Sequence, residues 1–430
     1  MEEKILIIGA GPAGIGTAFH LDKEYILFDM ENDIGGLMRS KEINGFIFDF
    51  AGHIFFSSDD YMKSLIEKLL KDNFHVQERS SWIYSNNTYT RYPYQSNTYG
   101  LPKNIIKDCI MGLVEARMEK DAKKPQNFEE YIHKVFGKGI ARHFMIPYNE
   151  KIWTIPLREM ACDWFEERVP DVSIEDVVTG AIMPYEKRMG HNATFGYPLH
   201  GGCESIPKAF DHHLKNVRTN SRITAVNLKE KFVEVNQSER IPYSRLVSTI
   251  PLPELFGIIE NDIQSDVKNA VKQLRFNSVL CQNIGFNREK ATDKHWIYFH
   301  EDQFIFQRVF VQSNASPHVV PEGCSSYTAE ITYSERKPVE KNSVLENTIS
   351  GLEEAGLMFS DDELLVDDLI DIHYGYVIYD HNRKQAMKII KEYLESYDVN
   401  LVGRYAEWEY YNMDTALIAG KMMGEKLSGK

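Results

Sequence analysis

The chain has 430 residues, 43% of them hydrophobic and 26% charged, an ordinary globular composition that excludes disorder and a long coiled coil and allows two or three units sharing a large interior. A formal net charge of −14 argues against nucleic acid as a partner while leaving room for a local basic pocket that takes a small anion. Cys109, Cys162, Cys203, Cys281 and Cys324 lie far apart with neither CxxC nor Cys/His ligand spacing. No secretory pattern or membrane-length apolar run is read, so the expectation is a soluble cytoplasmic protein with reduced thiols, no metal site and no membrane partner.

In chain order, "KILIIG" (Lys4 to Gly9) reads as a buried parallel strand. "GAGPAG" follows with Gly9, Gly11 and Gly14, which allow a tight turn, close approach of a pyrophosphate and close packing of a following helix. The helix-compatible "AGIGTAFHL" leads to a second strand, "EYILFD", ending in Asp29, about 20 residues beyond Gly9, where a carboxylate can accept hydrogen bonds from an adenosine ribose. This spacing alone leaves flavin and nicotinamide open. Next, Gly35 and Gly36 would present backbone N–H groups to a cofactor phosphate, with Arg39 as a cation beside it. The GG-x-x-R-S element resembles that of FAD proteins related to amine oxidases. In such an architecture the strand ending at Phe50 would carry His53 of "FDFAGHIFF" to the isoalloxazine.

From residue 91 to 190 the pattern turns helical, with Asn127 and Glu130 as a capping pair and an interruption at Pro147. "FMIPYNEKIWTIPLREMACDWFEERVP" (Phe144 to Pro170) resembles the corresponding region of the UDP-galactopyranose mutases, especially their eukaryotic-type branch. Trp153 and Arg168 are the residues this similarity carries. The resemblance continues through most of the chain. "FGYPLHGGCESIPKAF" is similar to the family's Gly-Gly turn into a helix beside the flavin. "SRITAVNLKEKFVEV" and "RLVSTIPLPEL" read as strands rejoining the nucleotide fold. "WIYFHEDQFIFQRVFVQSNASPH" points to Arg308, whose planar donor fork suits phosphate oxygens or a flavin carbonyl edge. "HYGYVIYDHNR" supplies Tyr376. In "VGRYAEWEYYNMDTALIAGKMMGEKL", Gly403 and Arg404 end a strand, Tyr410 points to the substrate side, and Asn412, Met413 and Asp414 open a helix whose free N–H groups could meet the flavin pyrimidine.

The resemblance implies an α/β fold: an FAD-binding, Rossmann-like (glutathione-reductase-like) domain built from discontinuous segments, with a helical insertion and a mostly antiparallel substrate-domain sheet. The expected division is 1–90, 191–265 and 381–430 for FAD binding, 91–190 for the helical insertion and 266–380 for the sheet. It further implies pyranose/furanose exchange in an NDP-sugar, with reduced flavin N5 forming a covalent sugar adduct and NAD(P)H as external reductant. Arg168, Arg308, Tyr376 and Tyr410 would bind and polarise the diphosphate, Trp153 would line the pocket, and His53 would control the flavin's geometry and proton state. The chain departs from the pattern at Met413, where the family carries glutamine, in the shorter "YYNMD" turn, and at "FAGH", where bacterial members carry proline before the histidine. Two alternatives stay open: an FAD-dependent oxidoreductase of the amine-oxidase-like superfamily, and a nucleotide-sugar-binding protein without catalysis. Homo-oligomerisation is compatible with all three. No carboxylate pair can be placed across a glycosidic bond, which leaves little support for hydrolysis.

Overall fold

The computed structural model describes residues 4–119, 123–162, 164, 172–184 and 194–430. Strand Ile5–Ile8 is buried along its whole length, as an unbroken Ile/Leu run specifies. It lies at the centre of a five-stranded parallel sheet ordered Val399–Leu401, Arg245–Ser248, Ile5–Ile8, Tyr25–Phe28, Val217–Arg218. Ile7 faces Val247 on one side and Leu27 on the other, so segments from both ends and the middle of the chain complete one nucleotide-type fold. The last helix, Met413–Ser428, packs directly on the first, Pro12–His20. A Cβ at Gly16 would come within 2.5 Å of the Leu417 carbonyl, and one at Gly420 within 2.3 Å of the Ala13 carbonyl, so the two backbones touch.

The second large unit is a seven-stranded sheet ordered Leu364–Val377, Phe276–Phe286, Ser325–Tyr333, Arg308–Phe310, Trp296–Phe299, Ser81–Ser85, Thr88–Arg91. Every pairing is antiparallel except that of Trp296–Phe299 with Ser81–Ser85. Ser81–Ser85 and Thr88–Arg91 thus sit in this sheet although all of their residues but the last, Arg91, fall in the segment, 1–90, expected to be nucleotide-binding. Their alternating pattern fits either sheet, and only the long-range partner Trp296–Phe299 decides. The run around Arg308 forms a shorter strand than its composition suggests, because Phe304 and Phe306 are buried in the turn before it, against helix Val344–Glu354.

Helices Lys103–Met118, Phe128–Ile140, Ile146–Trp153 and Ile174–Ile182 form the insertion. Asn127 caps its helix by accepting from Glu130 N at 3.0 Å, and its amide returns a hydrogen bond to the Glu130 carboxylate. The break expected at Pro147 is a widened π-helical turn, Ala141–Met145, placed immediately before it. A proline cannot donate to the preceding turn, and the wider turn accommodates the missing bond. No helix among the described residues is long and apolar enough to cross a membrane.

Candidate active site

The glycine-rich loop builds a narrow backbone-walled crevice. Gly9 leaves its strand at φ +94°, a conformation that favours glycine, and Gly35 N donates to Ala10 O at 2.8 Å. A Cβ at Gly36 would lie 3.0 Å from Gly11 Cα, whereas one at Gly11 would meet nothing nearer than 3.9 Å. A Cβ at Gly11 would thus reach only ordinary contact with Gly36, at the start of helix Pro12–His20, whose N-terminus has no side-chain cap. Gly14 has a different job: a Cβ there would lie 1.9 Å from Gly9 O, so it permits close packing of the helix on the loop.

Asp29 closes one end of the crevice. Its carboxylate accepts from Ala10 N at 2.7 Å and Glu31 N at 2.9 Å, and burial pushes its pKa up against those two bonds. Arg39 sits on the crevice wall, donating through Nε to Gly36 O and through Nη1 to Glu31, with its guanidinium 5.0 Å from the Phe50 ring. Its pairing with Glu31 has no signal in the sequence spacing. Gly403, at φ +97°, brings the last segment against the same helix, where a Cβ would come within 2.6 Å of Ala13 Cβ.

Beyond Phe50 the chain turns toward a second constellation. Ala51 holds a left-handed φ of +72°, costly for a residue with a Cβ, and Gly52 N donates to Glu330 Oε1 at 3.1 Å. The other oxygen of Glu330 accepts from Arg308 Nη2, and the same Nη2 lies 3.4 Å from the Tyr376 hydroxyl. Tyr376 and Tyr410 stack with planes 6° apart, Trp153 meets both edge-on, and Arg404 lies 4.6 Å from the Tyr410 ring and 5.2 Å from that of Tyr376. Tyr148 stands edge-on to Tyr298, which in turn packs on Tyr92 and accepts from Arg79 Nη2 at 2.6 Å.

The electrostatics follow from burial. His53 is pushed down to about 4 by desolvation, opposed by Glu330 and reinforced by Arg404 and Arg308, so its imidazole is neutral at pH 7. Burial also raises the Tyr148 and Tyr376 phenols, leaving both protonated and able to donate. Desolvation works against the Arg308 charge, but Glu330 and the surrounding tyrosines outweigh it. Among the buried side-chain atoms without a hydrogen-bond partner in the described residues are His53 Nδ1, Arg308 Nε and Arg404 Nε at this pocket, and Arg79 Nε beside Tyr298. Buried polar atoms without partners are costly, and the Nε–H groups of Arg308 and Arg404 are donors that a bound ligand's acceptors could satisfy.

The structure thus brings Gly9, Gly11, Gly14, Asp29, Gly35, Gly36 and Arg39 together along the crevice, and His53, Arg308, Tyr376, Arg404, Tyr410 and Trp153 together in the pocket. Asn412 starts the last helix without a side-chain cap, Met413 packs into the core, and Asp414 is buried with its pKa raised by desolvation. Arg168 lies outside the described residues. Sequence reading missed Glu330, which looks like one more alternating strand residue in "SYTAEITY". It also missed Tyr148 and Tyr298, whose roles depend on packing between the insertion and the sheet.

Residues 7–69 match a family model described as an NAD(P)-binding Rossmann-like domain. Across the whole chain, the structure resembles a crystal structure of reduced UDP-galactopyranose mutase at TM-score 0.94 and 30% sequence identity, covering 99% of this chain and 96% of that one. A provisionally named protoporphyrinogen oxidase from Exiguobacterium sp. 255-15 aligns at TM-score 0.76 and 13% identity over 100% of this chain and 99% of its own. Putrescine oxidase bound to putrescine aligns at 0.67 and 15% over 100% of both chains. The latter two likenesses establish a shared fold alone. The sequence identity and near-complete coverage of the first show that this chain belongs to the UDP-galactopyranose mutase family.

Proposed function

We propose that the protein is a flavin-dependent NDP-sugar mutase, interconverting the pyranose and furanose forms of a sugar such as UDP-galactose. The observation that carries this reading is the joining of the glycine crevice to a cationic aromatic pocket through one short segment, Phe50 to His53. That pocket holds two guanidinium groups and one carboxylate: Arg308 is paired with Glu330, and Arg404 lies against the Tyr376 and Tyr410 rings and donates to Gly375 O. Such a balance suits a diphosphate and disfavours a cationic amine, which separates this site from an amine-oxidising one.

The residues present fit FAD. Gly11 leaves room for a pyrophosphate at an uncapped helix start, Asp29 can meet the ribose, and the unpartnered His53 Nδ1 lies where the crevice opens into the pocket. When bound and reduced, by NAD(P)H in this reading, the flavin would supply the nucleophile for ring exchange. The chain's own residues would do the rest. Arg308, with Arg404 and Arg168, would hold the diphosphate and stabilise the charge that develops as the anomeric C–O bond breaks. Tyr376 and Tyr410 would donate to the same oxygens, Trp153 would wall the pocket, and neutral His53 would offer a hydrogen bond beside the flavin without adding charge. Glu330 would keep Arg308 aimed.

Anaerobic incubation with UDP-galactopyranose or UDP-galactofuranose, before and after dithionite reduction, tests this. Interconversion confined to the reduced protein is the expected result. A bound flavin with no exchange in either state, or net oxidation of the sugar, would contradict it.

A further inference from the structure

We propose that Arg383, Glu409 and Tyr379 are positioning residues that fix Tyr410 against the Arg404 guanidinium, setting the end of the pocket that receives the diphosphate. The inference rests on the nucleotide-sugar reading above and extends it to three side chains outside the pocket.

Arg383 is 7% exposed at the start of helix Arg383–Glu395, and a buried guanidinium needs partners for its charge and its donors. Its Nε donates to the Trp408 carbonyl at 2.7 Å, its Nη2 pairs with Glu409, and its plane lies 4.2 Å from the centre of the Tyr379 ring. The Tyr379 hydroxyl donates to the other Glu409 oxygen at 2.6 Å and accepts from Tyr410 N at 2.7 Å. That phenol's single proton is committed to Glu409 while its oxygen holds the Tyr410 backbone, so the chain of bonds has one direction and ends at a pocket residue. Trp164 stacks on the same Tyr379 ring at 5.0 Å and meets Trp153 edge-on, tying the relay to the pocket wall.

The segment the relay holds is strained. Trp408 is fully buried at φ +53°, a left-handed conformation for a bulky residue, and is fastened by its own Nε1 to Arg275 O at 3.2 Å and by its carbonyl to Arg383. Arg383 is buried while Glu409 is part-exposed, and an ion pair reaching solvent on one side is a weak source of stability, so packing alone would be served as well by apolar side chains. What the charged relay adds is a fixed orientation of the backbone on either side of Glu409. Tyr410 thereby keeps its ring parallel to Tyr376 and its face on Arg404.

The test uses full-length, flavin-loaded, reduced protein and the variants Tyr379→Phe, Arg383→Met, Arg383→Lys and Glu409→Gln. KM and kcat for UDP-galactopyranose exchange are measured beside UDP affinity, read from the flavin absorption band. Tyr379→Phe is expected to raise KM and the UDP Kd about fivefold, the equivalent of one ordinary hydrogen bond. Its kcat should stay within about twofold of wild type. Arg383→Met should do at least as much, and Arg383→Lys should fall between. The double variant Tyr379→Phe/Arg383→Met should be no worse than Arg383→Met alone, as residues of one chain of bonds require. Lower melting temperatures with wild-type KM and UDP affinity would overturn the relay and reduce it to scaffolding. If Arg383→Met loses its flavin, Glu409→Gln, which keeps size and hydrogen-bonding capacity, decides by the same readings. A wild-type protein that holds flavin yet neither binds UDP nor exchanges the sugar would overturn the nucleotide-sugar reading together with the relay; normal wild-type exchange with unaffected variants would overturn the relay alone.

Discussion

The crevice and the pocket are made in different ways. The crevice is backbone: one glycine-rich turn, a second Gly-Gly turn and a helix start, most of it within the first forty residues, with only Asp29 and Arg39 contributing side chains. The pocket is side chain: Trp153, Arg308, Glu330, Tyr376, Arg404 and Tyr410 converge from a helix, three strands and a loop that are far apart in sequence. A backbone site tolerates change in neighbouring side chains but not an added Cβ that fills it. A side-chain site depends on every element that aims its members, and its chemistry can drift while the crevice stays the same. This difference accounts for relatives with other activities on a common fold.

The largest expected effect is in the pocket. Arg308→Ala removes the proposed diphosphate ligand and leaves Glu330 a buried carboxylate facing Gly52 without its cation, and exchange is expected to fall about 10²- to 10³-fold with flavin still bound. Arg308→Lys should recover only part, because an ammonium cannot reproduce the planar fork. Steady-state rates and flavin content on the same samples check both.

Gly11→Val probes the crevice in isolation. The added Cβ would reach only ordinary contact, 3.9 Å from Gly36 Cα, so the apo protein should keep its melting temperature while flavin affinity drops by about tenfold or more. Gly14→Val should instead disrupt folding, since it collides with Gly9 O inside the protein. A Gly11 variant that still holds FAD normally would show that the phosphate path runs elsewhere.

The wall behind the pocket should report through pH. Lys151, on the helix that carries Tyr148 and Trp153, is buried, donates to Glu301 O at 2.8 Å and is pushed down to about 7, first by desolvation and then by Lys337. As pH falls from the ordinary lysine value near 10.5 toward 7, the unfolded chain binds a proton that the native protein does not, so this residue lowers stability over that window. The stability of wild type relative to Lys151→Met should therefore increase between pH 7 and pH 10, measured by thermal or denaturant unfolding. A flat difference would show that the amine stays charged in the fold. The smallest effect is expected for Tyr376→Phe, a rise in KM of about fivefold with folding unchanged, since one neutral donor is lost from a pocket that keeps its arginines.

The same division explains what the sequence discloses. Ile5 to Gly14, Asp29 and the Gly35–Gly36 pair are legible because backbone geometry restricts residue type locally: glycine where a Cβ would collide or block, an unbroken apolar run where both faces are covered. Arg308, Tyr376 and Tyr410 are legible only through resemblance to a family, since nothing in their local spacing points to one pocket. Glu330 escaped because its alternation is that of any half-buried strand and its importance depends on Arg308 and Gly52, both distant in sequence. Ser81–Ser85 and Thr88–Arg91 joined the larger sheet for an equally non-local reason, and the relay from Arg383 to Tyr410 depends on a strand end, a helix start and a loop meeting in space.

The most direct test of whether crevice and pocket form one site is titration of flavin-loaded protein with UDP while recording the flavin absorption spectrum, for wild type and for Arg308→Ala. Wild type is expected to show a saturable change in the flavin bands that Arg308→Ala largely loses while keeping its flavin. UDP binding, detected independently by calorimetry, with no spectral change would contradict the arrangement, because it would place the diphosphate away from the ring that His53 and Arg308 are here proposed to share.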